Sequence, residues 1–241
     1  MVLKFFLLAV LFLFISCTSF ERDNPNDPGG VNYIGDRPSS SSAPNQNVKY
    51  GDTIYYKNEA YATVIIGKQT WMAENLNYAV AGSKCGTDIE FDYFIYKLSD
   101  ANTAICDKYG RLYDWETAKA VCPDGWRLPS DEEWQTLVDL AGGDEIAGKK
   151  LKAKSGWEDY DDGEVKSGNG EDKYGFAALP GGSGYLDGYF SSVGYDGCWW
   201  SATESGVLNA YFRCMYFNNE HVSRVRNNKD DYLFSVRCLK D

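Results

Sequence analysis

Cysteine is the residue type whose number and spacing suggest chemistry most directly in this sequence. The chain has seven cysteines and one histidine, His221. A thiol can be acylated, can form a disulfide or, as a thiolate, can bind a metal ion. No Cys-x-x-Cys occurs, and His221 lies in a polar stretch away from paired cysteines. The spacing therefore disfavours a zinc site, and we expect neither a metal nor a cofactor.

The six cysteines after Cys17 form an even set, which in an exported domain is typical of a disulfide framework with fifteen possible pairings. One pair follows from geometry. A strand-like run begins at Cys198, another ends at Cys214, and Gly206 lies midway between them. A hairpin folded about Gly206 places the two cysteines opposite each other, at a separation that a cross-strand disulfide needs.

The other four cysteines are assigned with less direct geometry. Cys85 and Cys106 flank a local loop and are expected to pair, which leaves Cys122 for Cys238. A bridge that closes so long a loop should stabilise the domain by roughly 4–5 kcal/mol on the chain-entropy model.

The N-terminus has the pattern of an export signal. Lys4 precedes an apolar run from Phe5 to Ile15, too short to span a bilayer comfortably. The run ends in Phe-Ile-Ser-Cys, which resembles the lipobox of bacterial lipoproteins. We therefore expect a signal peptide over residues 1–16, fatty acylation (such as palmitate) of Cys17, a flexible polar tether over 17–47 and a folded domain over 48–241. The alternatives are an ordinary secretory signal or an uncleaved anchor.

These features predict a location in the cell envelope, with the membrane contacted through the N-terminal lipid. Thr18 rather than Asp follows Cys17, so the enterobacterial inner-membrane retention signal is missing and an outer-membrane lipoprotein is expected. The sequence does not choose between the periplasm and the cell surface. The net charge of −11 without a basic stripe argues against nucleic acid as a partner.

Acidic residues are the second candidate for chemistry. The run from Glu158 to Glu164 suggests calcium, with Asp159, Asp161 and Asp162 as weak candidate ligands. An EF-hand alignment fails, because it puts a tyrosine at a ligand position and has no closing glutamate. A solvated acidic loop is the simpler interpretation.

Catalytic patterns are weak. His221 is the only histidine available as a base, and no Gly-x-Ser-x-Gly elbow occurs. Carboxylates are numerous, but no spacing singles out the pair that glycoside hydrolysis requires. We therefore expect that the protein is not an enzyme.

The elements that would position these residues are short. A helix is predicted over Trp115–Val121 with Asp114 as its N-cap, and a second begins with the capping box Ser130–Glu133. In that second helix Trp134, Leu137, Val138 and Ala141 share one face, as in a packed core. A third helix is predicted over 145–154, two strands around the turn 57–59 and three or four strands after residue 198. Residues 78–108 and 155–197 are expected to be loop-like.

Five ordered motifs resemble the Fibrobacter succinogenes major paralogous domain. They are WMAENLNY (71–78), YGRLYDWETAKAVCPDGWRLPSDEEW (109–134), YGFAALPGG (174–182), WWSATE (199–204) and FSVRCLKD (234–241). The resemblance implies an α+β fold similar to C-type lectin-like and formylglycine-generating-enzyme-like domains. That means two or three helices packed on small antiparallel sheets, a loop-rich chain stapled by disulfides, and N- and C-terminal strands side by side. It also supports the pairing of Cys122 with Cys238, but it supplies no activity.

A binding surface is the remaining candidate. Aromatic rings stack on sugars while Asp and Asn side chains bond to hydroxyls, and both are frequent in the region 155–197. The sequence therefore predicts a non-catalytic surface module for adhesion or carbohydrate binding, with polysaccharide or an envelope protein as ligand. The alternatives are a structural envelope lipoprotein and, less favoured, an enzyme of the formylglycine-generating type or one acting on glycans. The candidate ligand-binding residues are Trp157, Tyr160, Tyr185, Tyr189 and Tyr195.

Overall fold

The computed structural model describes residues 48–85, 95–97 and 103–241. All of them fall within one compact unit, Ser42–Asp241. The predicted signal peptide, tether and acylation site at Cys17 lie outside the described residues. Within the described ranges, no helix is long and apolar enough to cross a membrane.

Four short helices occur in the described chain, where two or three were expected. They are α1 Thr103–Tyr109, α2 Trp115–Ala120, α3 Asp131–Leu140 and α4 Asp144–Leu151. The additional helix, α1, lies in a region predicted to be irregular.

Local capping explains why α2 and α3 begin where the sequence predicts. The Asp114 side chain accepts a hydrogen bond from the backbone N–H of Thr117. The capping box of Ser130 and Glu133 is formed in both directions. These side chains satisfy N–H groups that have no partner inside the first helical turn, so both predicted helix starts are confirmed.

Seventeen strands complete the described fold. In chain order they are β1 Ile54–Tyr56, β2 Glu59–Tyr61, β3 Thr63–Ile66, β4 Gln69–Met72, β5 Ser83–Lys84, β6 Ile95–Lys97, β7 Leu112–Tyr113, β8 Trp126–Arg127, β9 Asp159–Asp161, β10 Val165–Ser167, β11 Gly181–Tyr185, β12 Tyr189–Val193, β13 Asp196–Glu204, β14 Asn209–Tyr216, β15 Ser223–Asn228, β16 Tyr232–Ser235 and β17 Leu239–Lys240.

The strands form one large sheet and three small ones. The large sheet has nine strands in the order β15-β14-β13-β11-β16-β7-β5, with β12 beside β11 and β6 beside β12. A four-stranded sheet has the order β3-β4-β17-β8, so strands from the two ends of the domain lie together as expected. The fold is therefore α+β. The expectation of small antiparallel sheets is wrong for the large sheet, where β13 pairs in parallel with β11 and β16.

The region 155–197 is not a loop, because it contributes β9 to β12. Strand β11 lies inside the large sheet but reads Gly-Gly-Ser-Gly-Tyr, so it shows no apolar alternation. Its glycines allow close packing: a Cβ atom on Gly184 would lie 3.2 Å from Cβ of Leu233, and one on Gly182 would lie 2.3 Å from the carbonyl oxygen of Ser191.

Consecutive residues of β13 point to opposite faces of the large sheet. Trp199 packs in a cluster with the predicted face of α3, whose members Trp134, Leu137, Val138 and Ala141 are all buried. Trp200 packs on the other side, with Phe212 and Phe234. Each face of the sheet therefore has its own core.

A buried polar node links distant parts of the chain. The side-chain oxygen of Asn75 accepts hydrogen bonds from Trp199 Nε1 (2.8 Å) and from Arg237 Nε (3.0 Å) and Nη2 (2.7 Å). Asn75 Nδ2 donates to the carbonyl oxygen of Tyr109, and Arg237 also donates to the carbonyl oxygen of Phe176. Burial lowers the pKa of Arg237 to about 9, so the guanidinium stays charged at neutral pH.

The three disulfides are the expected ones. Cys198 and Cys214 are directly opposite in β13 and β14, with Cα atoms 4.2 Å apart, and Gly206 in the turn between them has φ 89°. The Cα atoms are 5.4 Å apart in Cys85–Cys106 and 5.9 Å apart in Cys122–Cys238. All three predicted pairings are confirmed.

Candidate functional site

The five predicted aromatic residues do not form one surface. Trp157 is only 4% exposed, belongs to the core beside Trp199, and donates a hydrogen bond from Nε1 to the carbonyl oxygen of Ala178 (2.9 Å). A ring buried in this way cannot stack on a ligand, so the prediction for Trp157 is wrong.

The four tyrosines divide into two groups. Tyr160 and Tyr195 both pack edge-on against Phe217, at ring-centroid distances of 6.0 and 5.0 Å. Tyr185 is the last residue of β11, about 13 Å along the strand from Gly181. Its ring packs against that of Tyr232, with the ring centroids 5.0 Å apart. Tyr189, beyond the β11–β12 turn, is 53% exposed.

The calcium candidates lie on the exposed β9–β10 hairpin. Asp161 accepts a hydrogen bond from the Gly163 backbone, and Asp162 pairs with Lys166 (2.7 Å), which lowers the pKa of Asp162. Asp159 is exposed in β9. Across residues 48–85 and 103–241, no three His, Cys, Asp or Glu side chains are grouped to hold a metal ion.

His221 is exposed and lies just before β15. Its Nε2 is 3.2 Å from a carboxylate oxygen of Glu145.

A group of half-buried polar residues surrounds Asp196, and we call it the Asp196 cluster. Asp196 opens β13 directly opposite Tyr216 in β14, and Ser192 lies close enough to the Asp196 carboxyl group to lower its pKa against the effect of burial. Tyr185 in β11 lies near the Ser191 hydroxyl in the neighbouring strand β12, which lowers the pKa of Tyr185 against the effect of burial. The members of the cluster are Tyr185, Ser191, Ser192, Asp196 and Tyr216.

Burial is the main cause of the pKa shifts of three members of the cluster. Burial raises the pKa of Asp196, while the nearby Ser192 side chain opposes that shift. Burial and the Asp196 charge together raise the pKa of Tyr216. The pKa of Tyr185 is raised mainly by burial and Tyr232, with smaller contributions from Asp187 and Asp196.

Ser192 adopts an unusual backbone conformation within the cluster. Its φ is 65°, a left-handed value that costs a non-glycine residue roughly 1–2 kcal/mol. Such strain is concentrated at functional sites. Here it occurs at a serine that influences the pKa of the Asp196 carboxyl group.

A cleft of about 210 Å³ opens beside Tyr185. It lies between the β11–β12 turn and the edge strand β5, so Tyr185 borders both the cleft and the Asp196 cluster. The lining residues are Gly82, Lys84, Tyr185, Leu186, Gly188 and Leu233.

Sequence reasoning identified Tyr185 but missed the rest of the cluster. A usable signal was present for two residues, because the hairpin register that pairs Cys198 with Cys214 also pairs Asp196 with Tyr216. Ser191 and Ser192 had no such signal, since their strand could not be distinguished from a loop.

The comparison with protein families gives a match over most of the chain. The model of the Fibrobacter succinogenes major domain matches residues 64–240. The chain belongs to this family. No curated protein and no solved structure matches the chain.

Membership in the Fibrobacter succinogenes major domain family explains the core rather than the site. Each of the five motifs contributes to the node around Asn75, through Asn75, Tyr109, Phe176, Trp199 and Arg237. The Asp196 cluster lies outside all five motifs. The motifs that identify the family therefore hold the fold together and do not by themselves define a ligand.

Proposed function

We propose that this protein is a non-catalytic lipoprotein of the cell envelope whose domain binds polysaccharide at the Asp196 cluster. The observation that carries the proposal is the position of Asp196 opposite Tyr216 on a sheet face that also presents Tyr185. The lipid on Cys17 would anchor the chain to the outer membrane, and the polar tether would leave the domain free to reach its ligand.

The chemistry of the cluster suits a hydroxyl-rich ligand. A carboxylate accepts hydrogen bonds from sugar hydroxyls, while serine and tyrosine hydroxyls can both donate and accept. A half-exposed tyrosine also offers an apolar ring face for the carbon side of a sugar. The cleft next to Tyr185 adds a concave surface of the size of a small ligand group.

The pKa of Asp196 gives no sign of the interacting carboxyl pair that a glycoside hydrolase uses. Hydrolysis of that type uses two carboxyl groups about 5–10 Å apart. Within the described chain, the pKa of Asp196 is raised by burial and not by a neighbouring carboxylate. The pKa of Asp196 therefore favours binding over hydrolysis.

A structural role through contact with another envelope protein is the second candidate. Val207 and Leu208, at the turn between β13 and β14, are 85% and 60% exposed. Adjacent exposed aliphatic side chains favour a protein contact.

The polysaccharide proposal is tested by pull-down of the detergent-solubilised full chain with cellulose, xylan and pectin. Asp196→Ala and Tyr185→Ala should each weaken binding by about tenfold, the loss of one charged or two neutral hydrogen bonds. Tyr189→Ala, at an exposed tyrosine outside the cluster, is the matched control and should bind normally. Binding should also persist in excess chelator.

Absence of binding to every glycan would refute the proposal, and so would equal binding by all three variants. If glycans fail while Leu208→Ser abolishes cross-linking to an envelope protein, the structural role is supported instead.

A further inference from the structure

The Cys85–Cys106 disulfide has an arginine directly against its sulfur atoms. Arg111 Nη1 lies 3.0 Å from Cys85 Sγ and 3.9 Å from Cys106 Sγ. The Arg111 side chain is held there by hydrogen bonds from Nε to the Ser83 hydroxyl (2.9 Å) and from Nη2 to the Ser83 carbonyl oxygen (3.4 Å). Arg111 is only 8% exposed, so solvent screens its charge weakly.

The other two disulfides differ in this respect. Among the described residues, the sulfurs of Cys122–Cys238 and Cys198–Cys214 receive no hydrogen bond from a cationic side chain. The three bonds thus offer a comparison within one molecule, in which a single bridge has a cation beside it.

A cation affects the two redox states unequally. A disulfide sulfur is neutral and a weak acceptor, whereas a thiolate is an anion that a nearby arginine stabilises. Stabilising the reduced form makes a disulfide more easily reduced. Arg111 therefore favours reduction of the bond that it touches, with Cys85, the nearer sulfur, as the stabilised thiolate.

We propose that Cys85–Cys106 is the redox-exchangeable disulfide of this domain and that its partner is a dithiol. A thiolate of the dithiol attacks Cys106 Sγ, the Cys85–Cys106 bond breaks, and Cys85 leaves as a thiolate beside Arg111. The second thiol of the partner then attacks the mixed disulfide and releases Cys106. Two electrons pass to this chain, and the partner becomes a disulfide.

Reduction has a structural consequence next to the Asp196 cluster. The bond closes the segment that contains β6, and β6 pairs with β12, which carries Ser191. At one end of this segment, Cys85 follows β5, a two-residue strand at the edge of the large sheet. Opening the bond should therefore weaken the pairing of β6 with β12.

Solvent exposure and electrostatics favour reduction of different disulfides, so an experiment can separate the two effects. Cys85 and Cys106 are buried, whereas Cys122 is half-buried. Access favours faster attack on Cys122–Cys238, but the position of equilibrium depends on the stability of the reduced state. The measurement must therefore be made at equilibrium.

The experiment is a titration of the folded full chain in detergent with reduced and oxidised dithiothreitol, followed by differential alkylation and peptide mass spectrometry. Cys85–Cys106 should be reduced at the lowest ratio of reduced to oxidised reagent. Arg111→Met should shift its equilibrium about tenfold towards the disulfide, which equals about 30 mV for this two-electron couple. Arg111→Lys keeps the cation and should shift it less, and neither variant should move the other two bonds.

Two results overturn the proposal: reduction of either other bond before Cys85–Cys106 in the unmodified chain, or an unchanged Cys85–Cys106 equilibrium in folded Arg111→Met. If Arg111→Met does not fold, the order of the three bonds in the unmodified chain still decides the outcome. Both readouts are independent of any polysaccharide.

Discussion

Asp196 and Tyr216 are direct cross-strand partners in the antiparallel pairing of β13 and β14, and burial together with the Asp196 carboxylate raises the pKa of the Tyr216 phenol. Their strands are also joined by the Cys198–Cys214 disulfide, two residues along from the pair. The bridge and the buried core beneath it fix the spacing of the two polar groups. The candidate site is therefore built on rigid strands, which hold side chains more precisely than loops do.

Replacement of Asp196 by Asn should have opposite effects on the stability of the domain and on its binding of glycan. Burial raises the pKa of Asp196 above its ordinary value of 3.8, so the folded state holds the proton more tightly than the unfolded state does. The stabilisation is complete below pH 3.8 and is lost as the pH rises through the raised pKa. Asp196→Asn should therefore be more stable than the unmodified chain at pH 7 but not at pH 3, and its glycan binding should fall about tenfold.

Urea denaturation at the two pH values, followed by tryptophan fluorescence, measures the first effect. A variant that is less stable at pH 7 yet binds normally would mean that Asp196 is a structural residue.

The core node should depend strongly on Arg237. Arg237→Met leaves the Phe176 carbonyl oxygen without its Arg237 donor and the Asn75 side-chain oxygen with Trp199 as its remaining donor, which should lower the free energy of unfolding by about 3 kcal/mol. Arg226→Met, at an exposed arginine, should change it by less than about 0.5 kcal/mol. Comparable losses in the two variants, measured by thermal denaturation, would contradict the assigned role of the node.

Trp157 should affect folding and not ligand recognition directly. Trp157→Ala removes a buried ring and the donor to the Ala178 carbonyl oxygen, and should cost about 3–5 kcal/mol of stability. The exposed Tyr189→Ala is the control, expected within about 0.5 kcal/mol. Stability is read from chemical denaturation, and binding is compared only under conditions where both variants are folded. If a Trp157→Ala variant is folded but does not bind glycan, Trp157 belongs to the binding site after all.

Acylation of Cys17 is a prediction from the sequence alone. Cells that express the full chain and are fed labelled palmitate should incorporate the label, and Cys17→Ser should abolish incorporation and release the protein from the membrane fraction. Cys85→Ser is a suitable control, because it removes a different cysteine and should leave the label in place. Equal labelling of Cys17→Ser would exclude this attachment site.

Several features could be read from the sequence because their causes are local. The starts of α2 and α3 follow from side chains that bond to N–H groups three residues later. The Cys198–Cys214 pair follows from a single turn at Gly206, and the same register fixes Asp196 opposite Tyr216. The α+β class follows from the resemblance to the Fibrobacter family, which residues 64–240 bear out.

Other features depend on contacts between residues far apart in the chain. The Gly-Gly-Ser-Gly-Tyr run of β11 has no strand pattern of its own, and it becomes a strand because β12, β13 and β16 supply its hydrogen-bond partners. From the sequence, Trp157 is predicted to be an aromatic residue of a loop. In the folded domain it is buried in the core beside Trp199 and donates to the carbonyl oxygen of Ala178. Arg237 donates a hydrogen bond to Asn75, although the two residues are 162 positions apart in the sequence. Sequence thus determined the elements whose hydrogen bonds close within a few residues, and the tertiary structure decided which side chains were removed from water and which stayed available to a ligand.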